Sequence, residues 1–267
     1  MSLIETVRSK DGTSIAYERR GHGPPLVMVH GATVDRLRWG SIVSTLAKHF
    51  CLYLVDRRGR GDSGDGPVYS IEREFEDVVA VLESTEVPAH LLGHSYGAIC
   101  ALEALRLTTR VAKVVLYEPP LPLPGQELFC PTDLAQHLES LLAAGDRAGV
   151  VETFMREVIH SSDREIEGMR HTSTWDVRIS TAHTIPREVG IAATYQFRAE
   201  GFAHVRVPTL FLIGSRSPAY LHAATVTASA AVAGSQVASL LGQGHVAMAT
   251  GPHLFLEKVL PFLGVNP

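Results

Sequence analysis

The chain has 267 residues, of which 45% are hydrophobic and 19% charged, and its formal net charge is −4. This composition is typical of a globular domain with room for one insertion, and it excludes an intrinsically disordered chain. The absence of a lysine- or arginine-rich run argues against a nucleic-acid-binding or anionic-membrane-binding surface. We therefore expect a small-molecule substrate, a monomer or homodimer, no nucleic acid and no membrane.

The cysteines and the N-terminal sequence bear on the compartment. Cys51, Cys100 and Cys130 are an odd, widely spaced set without a CxxC pair, which favours reduced thiols over a disulfide framework. The first residues, MSLIETVRSKDG, lack the basic and apolar regions of a signal peptide, and no apolar run approaches the roughly 18 residues of a membrane span. The sequence thus predicts a soluble cytoplasmic protein.

In chain order, the pattern begins with a hairpin and continues with strands that alternate with helices. The hairpin is LIETVRS and TSIAYERR, joined by a turn at Lys-Asp-Gly. Short apolar runs typical of buried strands follow at 26–30, 51–56, 90–94, 111–118, 207–214 and 236–242, and helical patterns lie between or after them at 37–48, 71–85, 95–107, 218–232 and 252–263. This alternation predicts an α/β fold with a mostly parallel sheet and helices on both faces.

The alternation breaks once, after residue 118. Residues 119–205 contain helical patterns but no good buried strand, and they begin with the proline-rich exit PPLPLPG. Such a stretch is too long for a plain loop, so we interpret it as a helical cap over the carboxyl edge of the sheet, where open α/β sheets bind ligands. Residues 1–118 and 206–267 then form the core domain.

The segment GHSYG, residues 93–97, follows a predicted buried strand and opens a predicted helix. In that context Gly-x-Ser-x-Gly indicates a nucleophile elbow, with Ser95 exposed at a helix N-terminus that favours developing negative charge. A serine needs a base to take its proton. Of the 13 histidines, His245 is the best candidate because GQGH directly follows the last predicted strand.

Acyl transfer also needs two N–H donors for the developing oxyanion. One is predicted at Tyr96, immediately after the nucleophile. The other is predicted at Ala32, in the loop HGAT that follows the strand LVMVH.

Four segments, HGAT, DRRGRGDSG, GHSYG and GQGH, occur in that order and with spacings that resemble the α/β-hydrolase superfamily, in its branch with a serine nucleophile. The resemblance covers both flanks of the chain and not the cap. It implies an α/β-hydrolase fold with a cap inserted after strand 6, and a largely structural role for DRRGRGDSG.

The chain departs from this family at the third member of the triad. Members usually carry an acid on the loop after the seventh strand, but that loop here reads GSRSP, and neither Arg216 nor Ser217 can accept the imidazole proton as a carboxylate does. The resemblance offers a second place, the end of strand 6, where this chain has Glu118. We predict Glu118 as the triad acid, with a structural glutamate at the hinge of the cap as the alternative.

The sequence predicts a serine esterase, a hydrolase acting on a small carboxylic ester, lactone or related acyl compound through an acyl-enzyme. Two alternatives stay open: the same constellation used for C–C bond hydrolysis or for cofactor-free lyase or oxidation chemistry, and a slow-turnover ligand-binding receptor. No cofactor and no metal site are predicted. Trp39 and Trp175 are candidate substrate-binding residues.

Overall fold

The computed structural model describes residues 3–123, 131 and 133–265. Their central feature is an eight-stranded sheet with the spatial order β1-β2-β4-β3-β5-β6-β7-β8. The first two strands form the predicted hairpin, β2 also pairs antiparallel with β4, and every other neighbouring pair is parallel. The predicted α/β fold is thereby confirmed. The strands are β1 (Leu3–Arg8), β2 (Ser14–Arg20), β3 (Pro25–Val29), β4 (Cys51–Val55), β5 (Ala89–His94), β6 (Val111–Tyr117), β7 (Thr209–Gly214) and β8 (Gln236–Leu240).

Burial along the strands follows from their composition. All residues of β3 and β7 are buried, as expected for continuous apolar runs that helices cover on both faces. The edge strand β1 is mostly exposed and carries charged side chains, which discourage pairing with another chain.

Helices cover both faces of the sheet. In α2, the apolar side chains at positions 71, 75, 78 and 82 recur at helical spacing and all are buried, so one stripe of the helix faces the core. With α3 and α9 this helix covers one face, and α1, α10 and α11 cover the other. The helices are α1 (Gly40–Leu46), α2 (Ile71–Glu83), α3 (Tyr96–Ala104), α4 (Leu134–Ala143), α5 (Arg147–Glu157), α6 (Asp163–Arg170), α7 (Ser173–Thr181), α8 (Ile185–Thr194), α9 (Ala219–Ala231), α10 (Ala247–Thr250) and α11 (Pro252–Leu263).

The segment between β6 and β7, called the cap below, contains helices α4 to α8. These helices bury a small apolar cluster of their own, which includes Leu138, Val150, Phe154 and Ile185. Residues 124–130 and 132 of the predicted cap lie outside the described part of the chain, and so does Cys130. The division at residues 118 and 206 stays a prediction.

The parallel strands place five chain segments at one edge of the sheet. The loop 30–33 follows β3, position 95 follows β5, position 118 follows β6, the loop GSRSP follows β7, and the loop with position 245 follows β8. Because carboxyl ends of neighbouring parallel strands share an edge, residues far apart in sequence meet there. Among the described residues, no helix has the length and apolar character to cross a membrane.

Candidate active site

Ser95 occupies the sharp turn between β5 and α3. Its backbone has φ 55° and ψ −125°, in a region that residues with a Cβ rarely adopt and that costs roughly 1–3 kcal/mol. Two backbone hydrogen bonds hold this turn: Ser95 N–H donates to the Tyr117 carbonyl at 2.9 Å, and Ala98 N–H donates to the Ser95 carbonyl at 2.8 Å. The side chain of Ser95 lines a cavity between the sheet edge and the cap.

The glycines on either side of Ser95 are required by close packing. A Cβ on Gly93 would lie 2.7 Å from the Cα of Ala98, and a Cβ on Gly97 would lie 2.3 Å from the carbonyl oxygen of His30. Both obstructing atoms belong to the backbone, which cannot rotate away as a side chain can. The Gly-x-Ser-x-Gly spacing therefore lets the end of β3, the turn and α3 approach one another.

His245 meets a carboxylate at this edge. Its Nδ1 atom lies 2.5 Å from Oε2 of Glu118, whose side chain is 0% exposed. A carboxylate oxygen can only accept a hydrogen bond, so Nδ1 of His245 is the donor in this contact, and Nε2 is the ring nitrogen left for another partner. His245 lines the same cavity as Ser95. The structure thus places His245 in contact with Glu118 and places His245 and Ser95 along the same cavity.

Glu118 directly follows β6 and has a positive φ of 51°, and its second oxygen is held by the neighbouring loop. Oε1 accepts hydrogen bonds from the backbone N–H of Gly214 at 2.6 Å and from the Ser217 hydroxyl at 2.5 Å. Both donors belong to GSRSP, the loop that lacks an acid. Arg216 in this loop is exposed, and its N–H donates to the Gln243 carbonyl. The loop therefore supplies two donors that orient a carboxylate from the adjacent strand.

Ala32 and Tyr96, the predicted oxyanion donors, line the cavity with Ser95. Tyr96 is the first residue of α3, so its N–H has no acceptor within the helix. The Tyr96 ring is buried beneath the Arg57 guanidinium, 4.3 Å from the ring centroid, and its hydroxyl lies 2.5 Å from the hydroxyl of Tyr69. The next residue of the other loop, Thr33, has φ 61°, so this loop also turns sharply.

Two residues that the sequence analysis did not assign to the site hold the His245 loop. The His94 ring donates through Nε2 to the His245 carbonyl at 2.7 Å, and burial holds the pKa of His94 well below its usual value, so this ring is neutral. The Tyr117 hydroxyl donates to the Gly244 carbonyl and accepts from the Ala247 N–H at 3.2 Å. Both are strand-end residues beside predicted site residues, and that adjacency is the one signal that could have pointed to them.

The cavity has an apolar part and a more polar part. Phe154 from the cap is among the residues of the apolar part, which also include Pro120, Val158, Ile159, Val189, Ile191 and Tyr220. The polar part extends from Ser95 and His245 past Thr33, Arg38 and Arg178.

An ion-pair network joins the cap to the core beside the apolar part. Glu188 of α8 accepts hydrogen bonds at 2.5 Å from Arg57 and from Arg60, which lie in the segment DRRGRGDSG. All three side chains are at most 2% exposed. Arg57 also forms a two-point ion pair with Glu74 of α2, at 2.7 Å for each hydrogen bond.

The structure does not bring Trp39 and Trp175 to the site, which corrects their prediction as substrate-binding residues. Trp39 is 0% exposed and packs among apolar side chains under α1 and α11, because a large ring at the start of that helix fills the sheet face. Trp175 packs against the apolar cluster of the cap, with the Arg170 guanidinium 5.4 Å from its ring centroid. Neither ring lines the described parts of the cavity.

Comparisons with known proteins agree with this architecture. Residues 26–258 match the model of the alpha/beta hydrolase family. The chain is 33% identical to N-formylmaleamate deformylase of Pseudomonas putida over 134 residues, which is 49% of each protein. It is 27% identical to pimeloyl-(acyl-carrier protein) methyl ester esterase of Aeromonas salmonicida over 262 residues, 94% of this chain and 100% of that protein.

A solved structure extends the similarity to nearly the whole chain. The crystal structure of an alpha/beta hydrolase from Sphaerobacter thermophilus superimposes with a TM-score of 0.86 at 32% identity, covering 97% of this chain and 100% of that chain. The matched region includes the elbow and the histidine loop. This chain belongs to the alpha/beta hydrolase family and is an enzyme of that class.

Proposed function

We propose that the protein is a serine hydrolase of a small carboxylic ester or lactone and that Ser95, His245 and Glu118 form its triad. The observation that carries this proposal is the contact of 2.5 Å between His245 Nδ1 and the buried Glu118 carboxylate, beside a cavity that Ser95 also lines. Relatives named as an esterase and as a deformylase support acyl chemistry.

In the first half-reaction, Ser95 Oγ attacks the carbonyl carbon of the ester while His245 Nε2 takes the hydroxyl proton. The carbonyl oxygen becomes an oxyanion, which the N–H groups of Ala32 and Tyr96 stabilise. The Glu118 carboxylate stabilises the imidazolium that forms and keeps its ring oriented. When the tetrahedral intermediate collapses, the alcohol leaves with the proton from His245 Nε2, and the acyl group stays on Ser95.

In the second half-reaction, a water molecule attacks the acyl carbon and His245 takes its proton. The new tetrahedral intermediate expels Ser95 Oγ, which regains the proton from His245, and the carboxylic acid is released. With a lactone, alcohol and acid remain one molecule. We further propose that the cap selects the substrate, because Phe154 and other cap residues line the apolar part of the cavity.

Labelling with a fluorophosphonate tests this proposal. The reagent should modify one serine in the folded protein, and peptide mapping should locate it at Ser95. The variant Ser95→Ala should lose both the adduct and the hydrolysis of an ester and lactone panel, whereas Ser140→Ala, at an exposed position on α4, should keep both. Modification at a different serine, or no modification of folded wild-type protein, would overturn the proposal.

A further inference from the structure

Two arginines line the polar part of the cavity in which Ser95 and His245 lie. Arg38 belongs to a short 3-10 helix, Arg36–Trp39, that follows the oxyanion loop, and Arg178 comes from α7 of the cap. Both side chains are partly buried. The site proposed for the ester is therefore flanked by two guanidinium groups, one from the core and one from the cap.

Arg38 makes no side-chain hydrogen bond or ion pair with any residue in the described ranges. Burial lowers the pKa of its guanidinium. An arginine stays protonated at neutral pH even so. The positively charged guanidinium of Arg38 therefore has N–H groups available to a ligand in the cavity.

Arg178 is only partly satisfied. Its Nη1 donates to the Thr33 hydroxyl and lies 3.8 Å from the Met155 sulfur, and both partners are uncharged. Its Nε is fully buried and has no hydrogen-bond partner among the described residues. Burial, with a smaller contribution from the nearby charge of Arg38, lowers the pKa of Arg178 to about 10. The two cations therefore repel each other at a place where no described carboxylate separates them.

The fully buried arginines among the described residues have acidic partners. Arg57 pairs with Glu74 and Glu188, and Arg58 pairs with Asp77 and Asp11. Because an uncompensated buried charge is costly, such pairing is the rule in folded proteins. Arg38 and Arg178 depart from it.

The charged groups around the two arginines do not supply the missing anion. Glu165 lines the same polar part, but it is exposed and its carboxylate accepts from the Ser162 N–H at 2.8 Å and the Ser162 hydroxyl at 2.7 Å. Asp56, which directly follows β4, pairs with Arg36. Arg216 lines the cavity as well and adds a third positive charge.

We propose that Arg38 and Arg178 together bind a carboxylate group of the substrate, so that the enzyme acts on an ester or lactone that carries a second, anionic end. This assignment rests on the proposed function for the reacting end of the molecule. A planar guanidinium matches a carboxylate with two parallel hydrogen bonds, and an anion between the two arginines relieves their repulsion. The positive cavity would also draw the anionic substrate toward Ser95.

Binding to the Ser95→Ala protein tests the carboxylate site without any turnover. Calorimetric titration would compare the monomethyl esters of succinate, glutarate and adipate with their neutral amide counterparts, which replace the carboxylate by a carboxamide of the same shape. Acetate esters of hydroxy acids, compared with their amides in the same way, test whether the site binds a carboxylate that is carried by the alcohol part of the ester. We expect at least one carboxylate ligand to bind at least 10-fold more tightly than its amide. Equal affinity across all pairs would overturn the proposal.

Variants identify the two arginines. In the Ser95→Ala background, Arg38→Met or Arg178→Met should reduce the carboxylate-to-amide affinity ratio by roughly 10- to 100-fold, the loss typical of a charge-assisted hydrogen bond. Arg38→Lys should retain part of the ratio because it keeps the charge. The matched control Arg164→Met removes an exposed cap charge outside the cavity and should leave the ratio unchanged. An unchanged ratio in both methionine variants would also overturn the proposal.

Failure of this inference is distinguishable from failure of the proposed function. If fluorophosphonate labels Ser95 and esters are hydrolysed without preference for a carboxylate, the serine hydrolase stands and the anion site is wrong. If Ser95 is not labelled but the Ser95→Ala protein binds carboxylates through Arg38, the anion site stands and the acyl chemistry is wrong.

Discussion

Replacing Glu118 by glutamine exchanges one carboxylate oxygen for an NH₂ group in a side chain that three hydrogen bonds hold in place. Oε1 accepts from Gly214 N–H at 2.6 Å and from the Ser217 hydroxyl at 2.5 Å, so the glutamine must place its carbonyl oxygen there. Its NH₂ group then occupies the place of Oε2, 2.5 Å from His245 Nδ1 in the wild type. An amide NH₂ can only donate, so Nδ1 must accept and the ring proton moves to Nε2.

The size of the effect follows from this tautomer. With its proton on Nε2, His245 cannot take the proton of Ser95, and no carboxylate stabilises the imidazolium. Neutralising a triad acid in another serine hydrolase lowers kcat by about 10⁴-fold, which corresponds to about 5.4 kcal/mol of lost transition-state stabilisation. We expect a loss of that order in Glu118→Gln. The isosteric amide keeps the two hydrogen bonds to Oε1, so the free energy of unfolding should change by less than about 2 kcal/mol.

The assay is the kcat of Glu118→Gln on the best ester of the panel, together with urea unfolding of the same samples. Ser217→Ala is the matched control, because it removes one donor to the same carboxylate and keeps the charge; its kcat should fall by no more than about 10-fold. A folded Glu118→Gln protein with kcat within 10-fold of wild type would show that His245 does not depend on the Glu118 carboxylate. The enzyme would then work with a Ser–His dyad, or another residue would supply the acid of the triad.

Three further substitutions test the surroundings of the site. His94 is buried and neutral with a lowered pKa, so as the pH falls the unfolded chain binds a proton at this residue first, and the free energy of unfolding falls below about pH 6.5. In His94→Gln, the slope of the free energy of unfolding against pH, measured by urea titration between pH 6.5 and 5, should decrease by up to about 1.4 kcal/mol per pH unit. An unchanged slope would contradict this. Tyr117→Phe removes the hydroxyl that bonds the Gly244 carbonyl and should lower the free energy of unfolding by about 1–3 kcal/mol in urea titrations, whereas no loss would mean that water replaces the hydroxyl. Glu188→Gln removes a carboxylate shared by two buried arginines and should lower the free energy of unfolding by about 3–5 kcal/mol in urea titrations. The control Glu167→Gln, at an exposed position, should lower it by less than about 0.5 kcal/mol. Equal losses in the two variants would refute a stabilising role for the ion pairs of Glu188.

The sequence alone was sufficient to predict the strands, the sheet class and the place of the inserted helices. Apolar runs such as LVMVH and VPTLFLIG have no polar alternation, which is typical of strands covered on both faces, and the structure buries every residue of the two strands that they form, β3 and β7. The N-terminal hairpin was equally clear, because Lys-Asp-Gly is a strong turn signal between alternating segments. Local patterns determine these features, and for that reason one sequence reveals them.

Contacts between distant segments were harder to foresee. Glu118 could be predicted only because the usual position for the acid is empty, and nothing in GSRSP indicates that its Ser217 would donate to that glutamate. The two tryptophans were misplaced for a related reason: a large ring in an amphipathic pattern can face either the core or a cavity, and only tertiary packing decides. That Arg38 has no acidic partner among the described residues depends on its surroundings in the fold, and the sequence does not indicate it.

Rapid-quench mass spectrometry during turnover of a good ester tests most directly whether an acyl-enzyme forms on Ser95. When deacylation is the slower step, we expect a burst of alcohol equal to the enzyme concentration and a mass increase of one acyl group on the peptide that contains Ser95. Glu118→Gln should slow the appearance of that adduct without moving it to another residue. A burst of alcohol with no covalent adduct, or an acyl group found on a different residue, would rule out an acyl-enzyme on Ser95.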